Sequence, residues 1–119
     1  DAINAAGEYV GAAIAPGIEI AAEALFRQTS QLLLVELSPP PSPVGRNTVH
    51  SIQSGLVYGY VGLVEGMVAR IRAELGENVH VIGTGDRAPL VAAESNVLDL
   101  VDPNLTLTGL RLIWHMNRP

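Results

Sequence analysis

The 119-residue sequence contains no cysteine and no lysine, and aromatic residues make up only 4% of it. The absence of cysteine excludes disulfide scaffolds, thiolate metal sites and cysteine nucleophiles. The absence of lysine excludes a lysine clamp on phosphate and Schiff-base chemistry. Because aromatic residues are scarce, the core has to be built from Ala, Val, Leu and Ile.

Positive charge is also scarce. Seven basic residues, all Arg, face twelve acidic ones, so the net charge is −5 and there is no electrostatic reason to bind nucleic acid or an anionic membrane. The longest weakly charged stretch, residues 55–68, contains Glu65 and is too short to span a bilayer. Apolar residues at 48% and charged residues at 16% favour a packed domain over disorder. The length is that of a single domain. We expect the protein to be located in the cytoplasm.

The first third of the chain combines two periodicities. Residues 1–4 and 8–15 predict a β-hairpin, and from Ile18 the apolar residues recur at the spacing of an amphipathic helix. Residues 32–37 form an apolar run that predicts a short strand. The four prolines within residues 38–43 predict an ordered surface loop, because proline removes backbone donors and fixes φ.

A long helix is the strongest prediction. Either Asn47 or Thr48 can cap it, and apolar residues then recur at three- and four-residue steps as far as Gly76. Glycines recur at the same steps within it: Gly55, Gly59, Gly62 and Gly66. Each costs about 0.8–1 kcal/mol relative to Ala inside a helix, so the stripe predicts close approach of another backbone. That backbone belongs either to the chain's own sheet or to a partner's helix.

Strands and helices alternate in the rest of the chain. Residues 79–82 and 97–101 predict short strands, and residues 87–94 and 105–117 predict helices. This alternation is typical of parallel strands covered by helices. With the hairpin added to the same sheet, the prediction is a three-layer α/β domain with a mixed sheet and an N-terminal antiparallel hairpin.

Two places could bind a ligand. At the start of the long helix, the Thr48 hydroxyl lies beside unpaired amides with Arg46 two residues away, which suits a small polar anion; a plain N-cap is the alternative. The second place is Gly83-Thr84-Gly85, at the carboxyl end of a strand, where glycines allow a ring or phosphate to approach. An ordinary turn between strand and helix is the alternative there.

No set of residues forms a complete active site. The histidines lie on three different elements without metal-ligand spacing, and they are His50, His80 and His115. Asp86 follows the turn at Gly85, but one carboxylate does not make a mechanism. We interpret Asp86 as a solvated surface group.

Five collinear motifs resemble the type III pantothenate kinase family. Residues 7–18, GEYVGAAIAPGI, are similar to the family's GEYLGGAIAPGI. Residues 44–49 resemble VGKNTV, and the stretch from Gln53 to Gly66 resembles MQSG…GYAGLVDG. Residues 82–85 resemble IATG, and residues 105–110 resemble LTLxGL.

The resemblance implies a fold and an activity. The fold is the actin/hexokinase-type ATPase fold, of which residues 1–119 would be the C-terminal, ribonuclease-H-like lobe. The activity is phosphorylation of pantothenate by ATP, the first step towards coenzyme A, with Mg²⁺ and a monovalent cation (K⁺ or NH₄⁺), in a homodimer built on the glycine-striped helix. Thr48 matches the threonine that contacts pantothenate, and Gly83 and Gly85 match the nucleotide-side loop. This chain has Asp86 at a position where the family often has a second glycine.

The resemblance also implies what this chain does not carry. The family's DxGNT, GxDR and DxGTA motifs would precede Asp1, which has no initiator Met before it. The N-terminal lobe, the first strand of this lobe, the catalytic aspartate and the metal ligands would then lie outside residues 1–119. We expect the chain alone to be inactive and to aggregate. A non-catalytic dimerisation or regulatory relative of the same fold is the alternative, and another sugar or acid kinase of the superfamily is a third.

Overall fold

The computed structural model describes residues 1–28, 34–76 and 78–118. Its elements are, in chain order, β1 (Ala2–Ile3), β2 (Tyr9–Gly11), α1 (Ile18–Gln28), α2 (Thr48–Leu75), β3 (Ile82–Gly83), α3 (Ala88–Glu94), β4 (Leu100–Val101) and α4 (Leu105–Met116). They divide into two compact units, one covering Asp1–Val79 and the other beginning at His80.

The predicted N-terminal hairpin is confirmed. Strands β1 and β2 pair antiparallel, with Ala2 opposite Gly11 and an irregular register before Ile3. The Asn4 side chain organises the turn, because its Oδ1 accepts from the amides of Ala6 at 3.0 Å and Glu8 at 2.9 Å. The second strand is shorter than the predicted 8–15, since its pairing ends at Gly11.

Helices α1 and α2 build the core of the first unit. Helix α1 begins at Ile18, as the change of period predicts, and packs against α2 with Ile18 and Ala22 buried. Helix α2 runs for 28 residues and ends before Gly76. Its buried face carries Ile52, Gln53, Leu56, Val57 and Val61. Val57, at 1% exposure, is the most deeply buried side chain among the described residues.

The glycine stripe of α2 faces away from this core. At 100° per residue, the stripe lies on nearly the opposite side of the helix from the buried residues. A Cβ added at Gly55, Gly59 or Gly62 would meet nothing within 4 Å, and one at Gly66 would meet only the Arg70 side chain. The described residues therefore give no support to packing of the stripe on the chain's own sheet.

The second unit is a βαβ arrangement followed by a helix. Strands β3 and β4 are parallel, with Ile82 opposite Leu100 and Gly83 opposite Val101. The Asp99 carboxylate extends the pairing by accepting from the Val81 amide at 2.6 Å. Helix α3 joins the two strands, and α4 follows without a single buried residue.

The single mixed sheet that the sequence predicts is not formed by the described residues. The hairpin and the parallel pair are two separate two-stranded sheets. The strand predicted over 97–101 is shortened to β4. The strand predicted over 79–82 is observed only at Ile82 and extends to Gly83, which the sequence placed in the turn. Regular pairing is limited to a two-residue ladder in each strand. Of the strand predicted over 32–37, residues 32 and 33 lie outside the described residues and 34–37 form no strand.

Candidate functional site

The start of α2 is the better-defined of the two candidate sites. Asn47 is the N-cap: its extended backbone precedes the helix, and its Oδ1 accepts from the His50 amide at 2.8 Å. Thr48, left as an alternative cap by the sequence, is instead the first helical residue, and its side chain is exposed. The Thr48 hydroxyl is thus not the cap of the helix.

The electrostatics of this helix end favour an anion. The first backbone amides of a helix have no acceptor within the helix. The Asn47 side chain accepts from the His50 amide, so the amides of Thr48 and Val49 point beyond the helix end. The first turn carries no acidic residue, and the exposed Arg46 adds a full positive charge beside the helix dipole. Arg46 and Thr48 flank the capping residue Asn47 along the chain.

Residues 38–46, here called the proline segment, lead into this site along the surface of α2. Four donors on the helix reach back to residues that precede it. Gln53 Nε2 donates to Ser38 Oγ at 3.1 Å, and Tyr58 Oη donates to the Pro40 carbonyl at 3.3 Å. The Ser54 hydroxyl donates to the Pro43 carbonyl. The Ser51 hydroxyl lies 3.4 Å from the Gly45 carbonyl, and its closer acceptor is the Asn47 carbonyl at 2.8 Å. The predicted proline-rich loop is therefore ordered against the helix.

The second candidate site consists of Gly83, the last residue of β3, and the turn at Thr84 and Gly85 that leads to α3. Gly83 is tightly packed, because a Cβ there would lie 2.7 Å from Leu98 Cδ1 and 3.1 Å from Ala88 Cβ. Gly85 has φ +86° and open space around it, and Thr84 is exposed. Packing beneath Leu98 accounts for Gly83 and the turn accounts for Gly85, so the local structure explains both glycines without a ligand. Thr84 and the Gly85 backbone remain approachable.

The two candidate sites belong to different compact units. Arg46 and Thr48 lie in the first, and Gly83, Thr84 and Gly85 lie in the second. Each is therefore described by itself.

The remaining sequence candidates are scattered. Asp86 is exposed, in agreement with its interpretation as a surface group, and so are His80 and His115. His50 is half-buried, and its Nδ1 lies 3.3 Å from the Asn47 side-chain amide. Within the described ranges, no three His, Asp or Glu side chains are grouped so as to hold a metal ion. Across those same ranges, no helix is both long and apolar enough to cross a membrane.

A groove elsewhere in the first unit contains none of these candidates. It has a volume of about 330 Å³ and lies between the hairpin and the C-terminal half of α2. Val10 and Ile71 are among its apolar lining residues, and Arg70 and Glu74 are its charged ones.

Gln53 and Gly45 lie near the start of α2 and within motifs that resemble the family, but neither was predicted from the sequence to be a site residue. Gln53 is buried and bonded to the segment before the helix, and Gly45 lies where that segment passes closest to α2. The available signal for Gln53 was a polar residue on the apolar stripe between Ile52 and Leu56. For Gly45 the signal was its place in the motif over residues 44–49; the physical need for glycine depends on a contact six residues away.

Comparison with known proteins decides the family. The sequence profile described as type III pantothenate kinase matches residues 1–70, more than half of the chain. The chain belongs to the type III pantothenate kinase family. The matched region includes Arg46 and Thr48 but not the turn at residues 83–85.

Curated type III pantothenate kinases match almost the entire chain. The protein from Roseiflexus sp. (strain RS-1) is 57% identical over 118 residues, which cover 99% of this chain and 46% of the relative. That from Myxococcus xanthus (strain DK1622) is 56% identical over 117 residues, 98% of this chain and 46% of the relative. That from Frankia alni is 51% identical, over 98% of this chain and 47% of the relative. The chain thus spans about half the length of these family members.

Proposed function

We propose that the complete protein containing this chain is an ATP-dependent pantothenate kinase and that residues 1–119 form its C-terminal lobe. The observation that carries the proposal is the family match over residues 1–70, extended by relatives above 50% identity to nearly the whole chain. The lobe would belong to the actin/hexokinase-type ATPase fold, and the α/β content of both units is compatible with that assignment. The reaction is the first step towards coenzyme A and takes place in the cytoplasm.

In this proposal the start of α2 holds pantothenate. Pantothenate carries one carboxylate and several hydroxyl and amide groups, and the exposed Thr48 hydroxyl can donate to or accept from such groups. The amides at the helix end and the Arg46 guanidinium favour the carboxylate. The site would orient the substrate, and the residues that activate its hydroxyl would lie outside this chain.

The turn at Gly83-Thr84-Gly85 is our proposal for the nucleotide side. Its support is the exposed Thr84 and the open backbone at Gly85, which leave room for a nucleotide to approach. Kinases of this class stabilise the transferring phosphoryl group with metal charge. Among the described residues, no three His, Asp or Glu side chains are grouped so as to hold a metal ion. On the resemblance to the family, we propose that residues outside this chain hold the cations, and we derive no step through them.

We further propose that the kinase is a homodimer in which the glycine stripe of α2 meets a partner's helix. Its support is the open space beside Gly55, Gly59 and Gly62. Glycine stripes allow two helix backbones to approach closely, which offsets the helix propensity that the glycines cost.

The test is an assay of the complete protein with ATP and pantothenate, with phosphopantothenate measured by mass spectrometry. Thr48→Ala should raise the KM for pantothenate about tenfold, the loss of one hydrogen bond, with an unchanged melting temperature. Thr106→Ala, which removes an exposed hydroxyl from α4, is the matched control and should leave the KM unchanged. A wild-type protein that folds but phosphorylates nothing would favour a non-catalytic dimerisation or regulatory role. An unchanged KM in Thr48→Ala would remove the substrate site from α2.

A further inference from the structure

Gln53 is the one polar side chain in the buried class among the residues that the structure describes, at 9% exposure. It lies on the face of α2 that also carries Ile52, Leu56 and Val57. A buried amide needs hydrogen-bond partners, because an unpaired polar group in the core destabilises the folded state. Its partners therefore indicate what the amide does.

Both partners of the Gln53 amide lie on the chain that precedes the helix. Nε2 donates to the Glu36 carbonyl at 3.0 Å and to Ser38 Oγ at 3.1 Å. A carbonyl can only accept, so the nitrogen of the amide has to face Glu36. Gln53 thus joins α2 to the beginning of the proline segment, 15 and 17 residues back along the chain.

The proline segment depends on such donors for its path. Its prolines have no N–H, so the segment cannot pair with a strand of its own, and its carbonyls accept from α2 instead. Three of those donors are hydroxyls, from Tyr58 and from the exposed bonds of Ser51 and Ser54. Bonds exposed to water are readily exchanged for bonds to water. The bonds of Gln53 and Tyr58 are both partly buried, and Gln53 is the buried side chain of the set. Along the chain, it holds the end of the segment farthest from Arg46.

We propose that Gln53 is a positioning residue for the pantothenate site. The proline segment begins at the Gln53 bonds and ends at Arg46, directly before Asn47 and Thr48. Its course therefore sets where the Arg46 guanidinium lies relative to the Thr48 hydroxyl. The inference rests on the proposed function, but the mechanical part, that Gln53 holds the segment leading into α2, does not.

The first arm of the test uses Gln53→Met in the complete protein, because Met keeps the length of the side chain and removes both donors. We expect the pantothenate KM to rise about tenfold, as small displacements of binding groups do, with kcat and the ATP KM within about twofold of wild type. Gln28→Met is the matched control, since Gln28 is exposed at the end of α1. If Gln53→Met lowers only the melting temperature and leaves the pantothenate KM unchanged, the residue is structural and the proposal fails.

The second arm does not depend on activity. Amide hydrogen exchange in peptides covering residues 44–50 should be faster in Gln53→Met and unchanged in Gln28→Met. If the wild-type protein has no kinase activity, the proposed function fails. The exchange measurement still tests whether Gln53 holds the segment that leads into α2, because unchanged exchange in Gln53→Met would overturn that claim.

A second variant covers the case in which Gln53→Met does not fold. Ser38→Ala removes one acceptor of the same amide and leaves the core unaltered. We expect the same changes in exchange and in pantothenate KM at a smaller size, and no additive effect in the double variant where that can be purified. Wild-type behaviour of Ser38→Ala in both measurements would count against the proposal.

Discussion

At Gly45 the chain passes so close to helix α2 that a methyl group has no room. A Cβ there would lie 2.5 Å from Ser51 Cα and 2.6 Å from Ser51 Oγ, and the first of these atoms is backbone that cannot rotate away. The approach places the Gly45 carbonyl 3.4 Å from the Ser51 hydroxyl and brings the next residue, Arg46, to the start of the helix. One glycine thus decides how the chain enters α2.

Gly45→Ala is therefore expected to destabilise the protein. The added methyl group forces the proline segment away from Ser51, and overpacking of this kind costs about 1–3 kcal/mol. Thermal unfolding of the complete protein measures the loss, and the pantothenate KM should rise in the same variant. Gly109→Ala in α4 is the control, because a Cβ there meets nothing within 4 Å. A melting temperature for Gly45→Ala equal to that of the control would show that the segment moves freely.

The residues of the candidate sites show what can be predicted from sequence. The start of α2 was predicted correctly, and Arg46 and Thr48 are neighbours in sequence there; their role in binding stays a prediction. The choice of cap could not be made, since Asn47 and Thr48 are both good N-caps and only the bond to His50 distinguishes them. For Gly83 the sequence left ligand approach and an ordinary turn as alternatives, and its packing against Leu98 could not be predicted because it depends on a residue 15 positions away.

At the scale of elements, α2 is the organising unit of the first half of the chain. One face forms the core, and its polar side chains hold the proline segment. Tyr60 Oη reaches the Pro16 carbonyl just before α1. The glycine face is left open. A helix 28 residues long with an apolar core face and a smooth glycine face on nearly the opposite side is suited to contacts on both sides.

Gly59→Leu should therefore prevent self-association without disturbing the fold. The side chain projects into open space in the isolated chain, so the melting temperature of the monomer should not fall. In the proposed dimer the same side chain would hold two helix backbones apart. Sedimentation velocity on the complete protein measures the change from dimer to monomer. Ala93→Leu, at an exposed position of α3, controls for added surface hydrophobicity, and a dimer that persists in Gly59→Leu would place the interface elsewhere.

The helices were predicted more accurately than the strands, for a physical reason. A helix satisfies its backbone within its own segment, so period and caps determine its ends: α1 begins at the predicted residue, and α4 ends at Met116, one residue before the predicted end. A strand exists only where another strand pairs with it. The apolar runs at 79–82 and 97–101 therefore overlap β3 and β4. The number of paired residues could not be predicted from either run, because it depends on the partner strand.

At the scale of the whole molecule, many large apolar side chains are exposed among the residues that the structure describes. In the second unit, α4 exposes several large apolar side chains, among them Leu107 at 64%, Ile113 at 58% and Met116 at 82%. In the first unit, Ile14 is 98% exposed. Soluble monomeric proteins rarely expose so many large apolar side chains close together, and such surfaces mark interaction sites. This pattern is compatible with the finding that the chain spans about half the length of its relatives.

The 119-residue polypeptide expressed alone is therefore expected to aggregate. Its exposed apolar side chains and short strands, whose pairing covers only two or three residues each, favour association between copies. Light scattering and binding of an apolar dye, measured during refolding at increasing protein concentration, would detect this.

Leu107→Glu with Met116→Glu should reduce scattering by removing part of the apolar surface of α4, whereas Thr106→Glu adds charge without removing apolar surface and should help less. Coexpression with the remainder of the protein should restore solubility to the unmodified chain. A monomer of the unmodified chain that stays in solution and unfolds in one sharp thermal transition would contradict this expectation, because it would show that residues 1–119 bury enough apolar surface to fold by themselves.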